Sequence, residues 1–144
     1  RHLELHTSYL STTNSKMFVL FPYSMFDRIV YHVHSINELR KITRACDEIV
    51  RVVFVVDDSM TEDDINAIAD FVKESDQIDE LSFRQRVDEN YKETYHLHDF
   101  LKAGHQKRWW YIEQCDYNTY YHNGKLFTKY TDIFDSEVVS CEKT

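Results

Sequence analysis

Hydrophobic positions return along this chain at a long and nearly regular spacing. The run IVRVVFVV at 49–56 is short, apolar and β-branched, which predicts a buried strand. Its skeleton, Ile49-x-x-Val52-x-Phe54, reappears after 29 residues as Ile78-x-x-Leu81-x-Phe83, and Trp110-x-Ile112 follows after another 29. Toward the start, Phe26-x-x-Ile29-x-Tyr31 lies 23 residues earlier and Leu3-x-Leu5 a further 26. Five strand anchors therefore recur at steps of 26, 23, 29 and 29.

Between the anchors the apolar period becomes helical. Ser35 with Glu38 makes a capping-box pattern, and Ile36, Leu39, Ile42 and Cys46 mark one helix face behind it. Thr61 or Ser59 opens a second helix, with Ile65, Ile68, Ala69 and Val72 along one stripe. Glu62, Asp63 and Asp64 suit the positive end of its dipole. A third helix carries Leu97, Phe100 and Leu101 and stops at Gly104, a residue type favoured just past a helix end. Residues 17–21 predict a shorter one, ended by Pro22.

Strands alternating with helices at this spacing pair in parallel, because antiparallel hairpins need far shorter connections. The class is α/β, and two architectures fit. One is a parallel βα-repeat, leucine-rich-repeat-like, with a curved sheet whose strands line a concave face. The alternative is a doubly wound α/β sheet with helices on both faces. The even order of the anchors favours the repeat, with Leu3, Ile29, Val52, Leu81 and Trp110 side by side in neighbouring strands. Near the end, YYHNGKLFTKY sets Asn123-Gly124 between aromatic and β-branched runs, the strongest short-range hairpin signal. Its arms, 117–121 and 125–130, read as a cap over the open sheet edge. Residues 1–144 then form a single domain.

Composition narrows the classes. An apolar fraction of 42% with 15% aromatic residues excludes a disordered chain, and no apolar run is long enough to span a bilayer. A net charge of −8 argues against a phosphate-binding surface. The local stretch His105-Gln106-Lys107-Arg108 beside Trp109 and Trp110 keeps an RNA-binding module as one alternative. Cys46, Cys115 and Cys141 are odd in number and widely separated, which is neither a disulfide framework nor a metal knuckle. With no Asn-x-Ser/Thr signal, this fits a reducing intracellular compartment. The chain opens without a visible signal peptide and starts at Arg1 rather than methionine, as a fragment or processed form does.

Candidate chemistry is sparse. His32 and His34 project to one side of a strand, and His96, His98 and Asp99 cluster near the third helix. Zinc needs three or four convergent ligands, and neither HExxH nor CxxC occurs. On a helix His96 and His98 diverge by about 200°. These histidines read as structural or surface residues, and no metal is expected. Asp57 and Asp58 follow a strand, where α/β enzymes place carboxylates. A polar loop leading into a helix cap explains them, while the same pair with a histidine gives a small α/β enzyme as a further alternative. The two glycines are far apart, so phosphate loops are absent, and no GxSxG elbow marks a nucleophile. No catalytic residue and no cofactor are assigned.

The stretch SINELRKITRACDEIVRVVFVVDDSMTEDDINAIADFVKESDQIDELSFR resembles the central part of nematode F-box-associated domains. Residues 60–66 stand at that family's helix and 78–81 at the strand that follows it. The closing CDYNTYYHNGKLFTKYTDIF is similar to the family's terminal segment, with Asn123-Gly124 at its Asp-Gly and Thr128 at its threonine. The match spans roughly 35–130; Glu74 and Ser75 lie where the family has a tryptophan, and Tyr121 where it favours arginine. The resemblance implies a non-enzymatic protein–protein recognition domain, the substrate-binding part of an F-box-type ubiquitin-ligase adaptor in cytoplasm or nucleus. Its expected partner is another protein rather than a membrane, nucleic acid or small molecule. If the anchors face the helices, alternation turns Glu4, His6, Val30, His32, Val53, Val55, Ser82, Arg84, Tyr111 and Glu113 outward. Glu4, His6, His32, Val53, Val55, Arg84, Tyr111 and Glu113 are the expected partner-binding residues, with Arg84 and Tyr111 as hot spots.

Overall fold

The computed structural model describes residues 2–8, 25–90, 92–113, 120–128 and 132–133. Strands β1 (Glu4–Thr7), β2 (Arg28–Val33), β3 (Ile49–Val56), β4 (Glu80–Gln85) and β5 (Trp110–Ile112) form one five-stranded sheet. Helices α1 (Ile36–Arg40), α2 (Glu62–Glu74) and α3 (His98–Gly104) connect β2 through β5. Every neighbouring pair is parallel, and the spatial order is the chain order, β1-β2-β3-β4-β5. This order has a consequence for the helices. Crossovers between parallel strands are right-handed, so steps that never reverse direction carry every helix to the same side. Accordingly Leu39 of α1, Ile65, Ile68, Ala69 and Val72 of α2 and Leu101 of α3 share one core with Ile29, Tyr31, Val52, Phe54, Leu81 and Phe83. Among the described residues, all three helices pack on one face.

Local sequence explains most helix boundaries. Ser35 Oγ accepts from the Glu38 amide at 3.2 Å, and the Glu38 carboxylate accepts from the Ser35 amide at 3.2 Å. Thr61 and Asp64 make the same reciprocal cap on α2, whose stripe Ile65, Ile68, Ala69 and Val72 is buried as expected. Helix α1, however, ends at Arg40 and does not reach Cys46, which is exposed. The buried Glu48 carboxylate accepts from the amides of Ala45 (2.9 Å) and Cys46 (2.7 Å), and Arg44 reaches Asp79 at 2.8 Å. These bonds hold residues 44–48 in a loop. At α3 the glycine acts through space rather than backbone freedom: a Cβ on Gly104 would stand 2.1 Å from Trp109 Cζ2.

The strand register departs from the anchor spacing in an instructive way. Val52 faces Leu81 as expected. Ile29 lies beside Leu5 and Val50, two residues away from the expected Leu3 and Val52, so the inward side is kept. At β5 the shift is one residue. Ser82 faces Trp110 and Phe83 faces Tyr111, and an odd slip turns every side chain over. Trp109 is the cause. Its indole lies edge-on to Phe83 at 5.3 Å, donates from Nε1 to Leu101 O at 2.9 Å, and fills the space above Gly104. With Trp109 inside, Trp110 and Ile112 face outward and Tyr111 joins the core.

Strands β6 (Tyr120–His122) and β7 (Lys125–Phe127) form the expected hairpin, with Asn123 and Gly124 both at positive φ (48° and 78°), the combination of a type I′ turn. It is a separate two-stranded sheet and does not extend the larger one, so the expected cap does not close the β5 edge by strand pairing. At three residues β5 is a short edge, which itself offers little template. The predicted helix at 17–21, Cys115, Cys141 and the outer hairpin arms lie outside the described residues.

Candidate functional site

Parallel register arranges the helix-free face in four rows: Glu4–Arg28–Ile49, His6–Val30–Arg51–Glu80, His32–Val53–Ser82–Trp110 and Val55–Arg84–Ile112. At the amino ends of the strands the charges pair off. Arg28 bridges Glu4 and Glu80, and Arg51 Nε donates to Glu80 at 2.6 Å. Burial pushes the Glu4 carboxyl up, but contacts from Arg28, His2 and His6 together hold it below its ordinary value.

The centre of the face is closed. Val30, Val53 and Ser82 are 1%, 2% and 0% exposed. Val53 therefore sits on the expected face but is not available to a partner. Toward the carboxyl ends and the β5 edge the face opens: Val55, Arg84 and Ile112 are half-buried and Trp110 is 43% exposed. Arg28, Arg44, Arg51 and Arg108 each meet a carboxylate. Arg84 makes no hydrogen bond or ion pair to any described residue, although apolar Val55 and Ile112 flank it in register. On β1 and β2, across β3 from the Arg84 strand, His6 Nδ1 lies 3.1 Å from His32 Nε2, and His6 Nε2 lies 3.3 Å from Glu4 Oε2. Burial, followed by the charges of His6, Arg84 and His34, pushes the His32 imidazole below its ordinary value.

Glu4, His6, His32, Val55 and Arg84 thus share this face as expected. Tyr111 and Glu113 do not. The β5 slip puts Tyr111 in the helix-side core, its hydroxyl 2.8 Å from His98 Nδ1 and its pKa pushed up to about 12 by burial. Glu113 follows it inward, 3.6 Å from His98 Nε2 and 3.6 Å from Lys102 Nζ. In their places the face has Trp110 and Ile112. Their signal was present: of two adjacent tryptophans only one points inward, and the nearby glycine shows where a large ring needs room.

The other candidate residues are occupied locally. Asp57 accepts from the Ser59 amide and hydroxyl, which hold its carboxyl below the usual range, and Asp58 is exposed. A cleft of about 250 Å³ does bring Asp57, Ser59 and His34 together at the carboxyl ends of β2 and β3. Among the described residues, no histidine nitrogen bonds Asp57, Asp58 or Ser59; His96 Nε2 instead meets Met60 O at 2.6 Å. The basic stretch is likewise dispersed, since Trp109 is buried and Arg108 binds Asp70 and Asn66. No three His, Cys, Asp or Glu among the described residues gather to hold a metal.

Compared with protein-family models, curated proteins and solved structures, the chain matches none. Among the described residues no helix is long and apolar enough to cross a membrane.

Proposed function

We propose that this chain is a non-enzymatic protein-recognition domain of leucine-rich-repeat-like type, and that the open corner of its helix-free sheet face binds the partner. The observation that carries this reading is Arg84: a half-buried guanidinium without a described partner, set between Val55 and Ile112 and next to exposed Trp110. A buried-edge cation flanked by apolar groups is costly unless something pairs with it, and Arg and Trp are residue types enriched among interface hot spots. Consecutive parallel order supports the repeat-like architecture, because it keeps the three described helices on one face. The resemblance to F-box-associated domains extends the reading to presentation of a bound protein for ubiquitination. Affinity capture from the native source, quantified by mass spectrometry, tests it. The wild type should retain a protein that both Trp110→Ala and Arg84→Ala lose, each by about 1–3 kcal/mol of binding free energy, with melting temperatures unchanged. Equal recovery by all three forms would remove this face from the interaction.

A further inference from the structure

Two neighbouring polar groups on β4 lack a partner. Ser82 is 0% exposed, and its hydroxyl has no hydrogen-bond partner. Arg84 stands two residues along the same strand and on the same face, and its guanidinium makes no hydrogen bond or ion pair to any described residue. Register joins the two into one block: Val53 and Trp110 flank Ser82, and Val55 and Ile112 flank Arg84. A buried hydroxyl without a partner costs stability. Val53, directly beside Ser82 and 2% exposed, shows that an apolar side chain serves the packing of this row. We infer that the Ser82 hydroxyl and the Arg84 guanidinium together dock the carboxylate of an Asp or Glu side chain on the protein partner. The inference rests on the recognition reading above.

The donor inventory sets the ligand. A guanidinium only donates, and nothing accepts the Ser82 hydroxyl proton, so the missing group is an acceptor. The carboxylates already on this face do not supply it, because Glu4 and Glu80 are engaged by Arg28 and Arg51. One guanidinium balances one negative charge, which fits a carboxylate rather than a phosphate dianion. Alternate residues of a strand stand about 7 Å apart, a gap that a carboxylate and the long arginine stem bridge. One carboxylate oxygen then accepts from the guanidinium and the other from Ser82 Oγ–H. Val53, Val55 and Ile112 wall the block with apolar groups, and a charge-assisted hydrogen bond is stronger where water is kept away. Trp110 gives access. It is 43% exposed on a three-residue edge strand, with its ring 5.2 Å from His105. Exposed side chains change rotamer quickly, so the indole turns aside and uncovers Ser82, whereas Val53 is fixed in the closed centre.

NMR of the Arg84 Nε–H signal in the full chain tests this, with sodium propionate titrated against sodium chloride at equal ionic strength. Propionate should shift that signal. Ser82→Ala should weaken the propionate affinity by about three- to tenfold and, in urea unfolding, raise the midpoint, a trade that a hydroxyl serving only the fold does not make. Equal responses to the two salts, or an affinity unchanged in Ser82→Ala, overturn the site. A lower urea midpoint for Ser82→Ala shows that the hydroxyl serves the fold and also overturns it. A larger response to inorganic phosphate than to propionate overturns the choice of carboxylate. Partner capture that is lost in Trp110→Ala and Arg84→Ala but unchanged in Ser82→Ala overturns this inference and keeps the recognition reading. A propionate response without any captured partner removes the recognition reading, and with it the assignment to a protein side chain.

Discussion

Replacing Gly104 with alanine tests the packing that sets the β5 face. The new methyl group would sit 2.1 Å from Trp109 Cζ2 and 2.3 Å from Cε2, so ordinary contact requires more than 1 Å of retreat. The indole has little room for that. It is held edge-on to Phe83 at 5.3 Å, lies 5.9 Å from Phe100, and donates to Leu101 O. Overpacking of this kind costs about 1–3 kcal/mol, and a weakened indole hydrogen bond adds about 1 kcal/mol. The gain in helix propensity offsets at most about 1 kcal/mol, less at this terminal position. A net loss of about 2–3 kcal/mol is expected. Urea unfolding followed by tryptophan fluorescence and circular dichroism measures it. Gly124→Ala is the control, because nothing lies within 4 Å of its added Cβ and only the positive φ of 78° is strained, at about 1 kcal/mol. A double-mutant cycle with Trp109→Phe identifies the mechanism. The smaller ring should recover much of the Gly104→Ala loss. If Gly104→Ala costs less than about 0.5 kcal/mol, or costs the same in the Trp109→Phe background, the glycine is only a helix terminator and the argument fails.

The β5 register makes a second pair of substitutions unequal: Tyr111→Ala should cost about 3–5 kcal/mol as a core truncation, while Trp110→Ala should change stability little, and the reverse ranking in urea melts would contradict the register. Asp79 is held below its ordinary pKa, first by the Arg44 hydrogen bond. Its stabilising contribution is therefore present above the unfolded-state value and lost as pH falls through the lower folded value. Between about pH 5 and pH 2 the wild type should lose more stability than Asp79→Asn, and parallel acid curves would refute the linkage. Chelation by EDTA should leave the melting temperature unchanged, since a structural ion contributes folding free energy that chelation removes; a drop of several degrees would mean that the histidines have been misread.

The amino-acid sequence alone determined the α/β class, the parallel pairing of strands, the capping of α1 and α2, and the hairpin at Asn123-Gly124. The caps and the hairpin rest on interactions within a few residues, and the parallel pairing on connection lengths that can be counted along the chain, so both are legible without knowledge of neighbours. Register was different. A strand pattern of period two says which side faces in but cannot distinguish shifts of two residues, so Ile29 was placed beside the wrong residues while its face was right. At β5, alternation allowed either tryptophan inside, and the choice came from Gly104, Leu101 and Phe83 packing around Trp109. That choice moved Tyr111 and Glu113 off the expected binding face and brought Trp110 and Ile112 onto it. Tertiary contacts also hold the chain beyond α1 out of the helix, where the Arg44 amide donates to Gln77 and its guanidinium to Asp79. That Arg84 meets no carboxylate among the described residues has the same origin. Whether an arginine finds a carboxylate depends on which rows the strands bring together, and only the folded sheet spent Glu4 and Glu80 on Arg28 and Arg51.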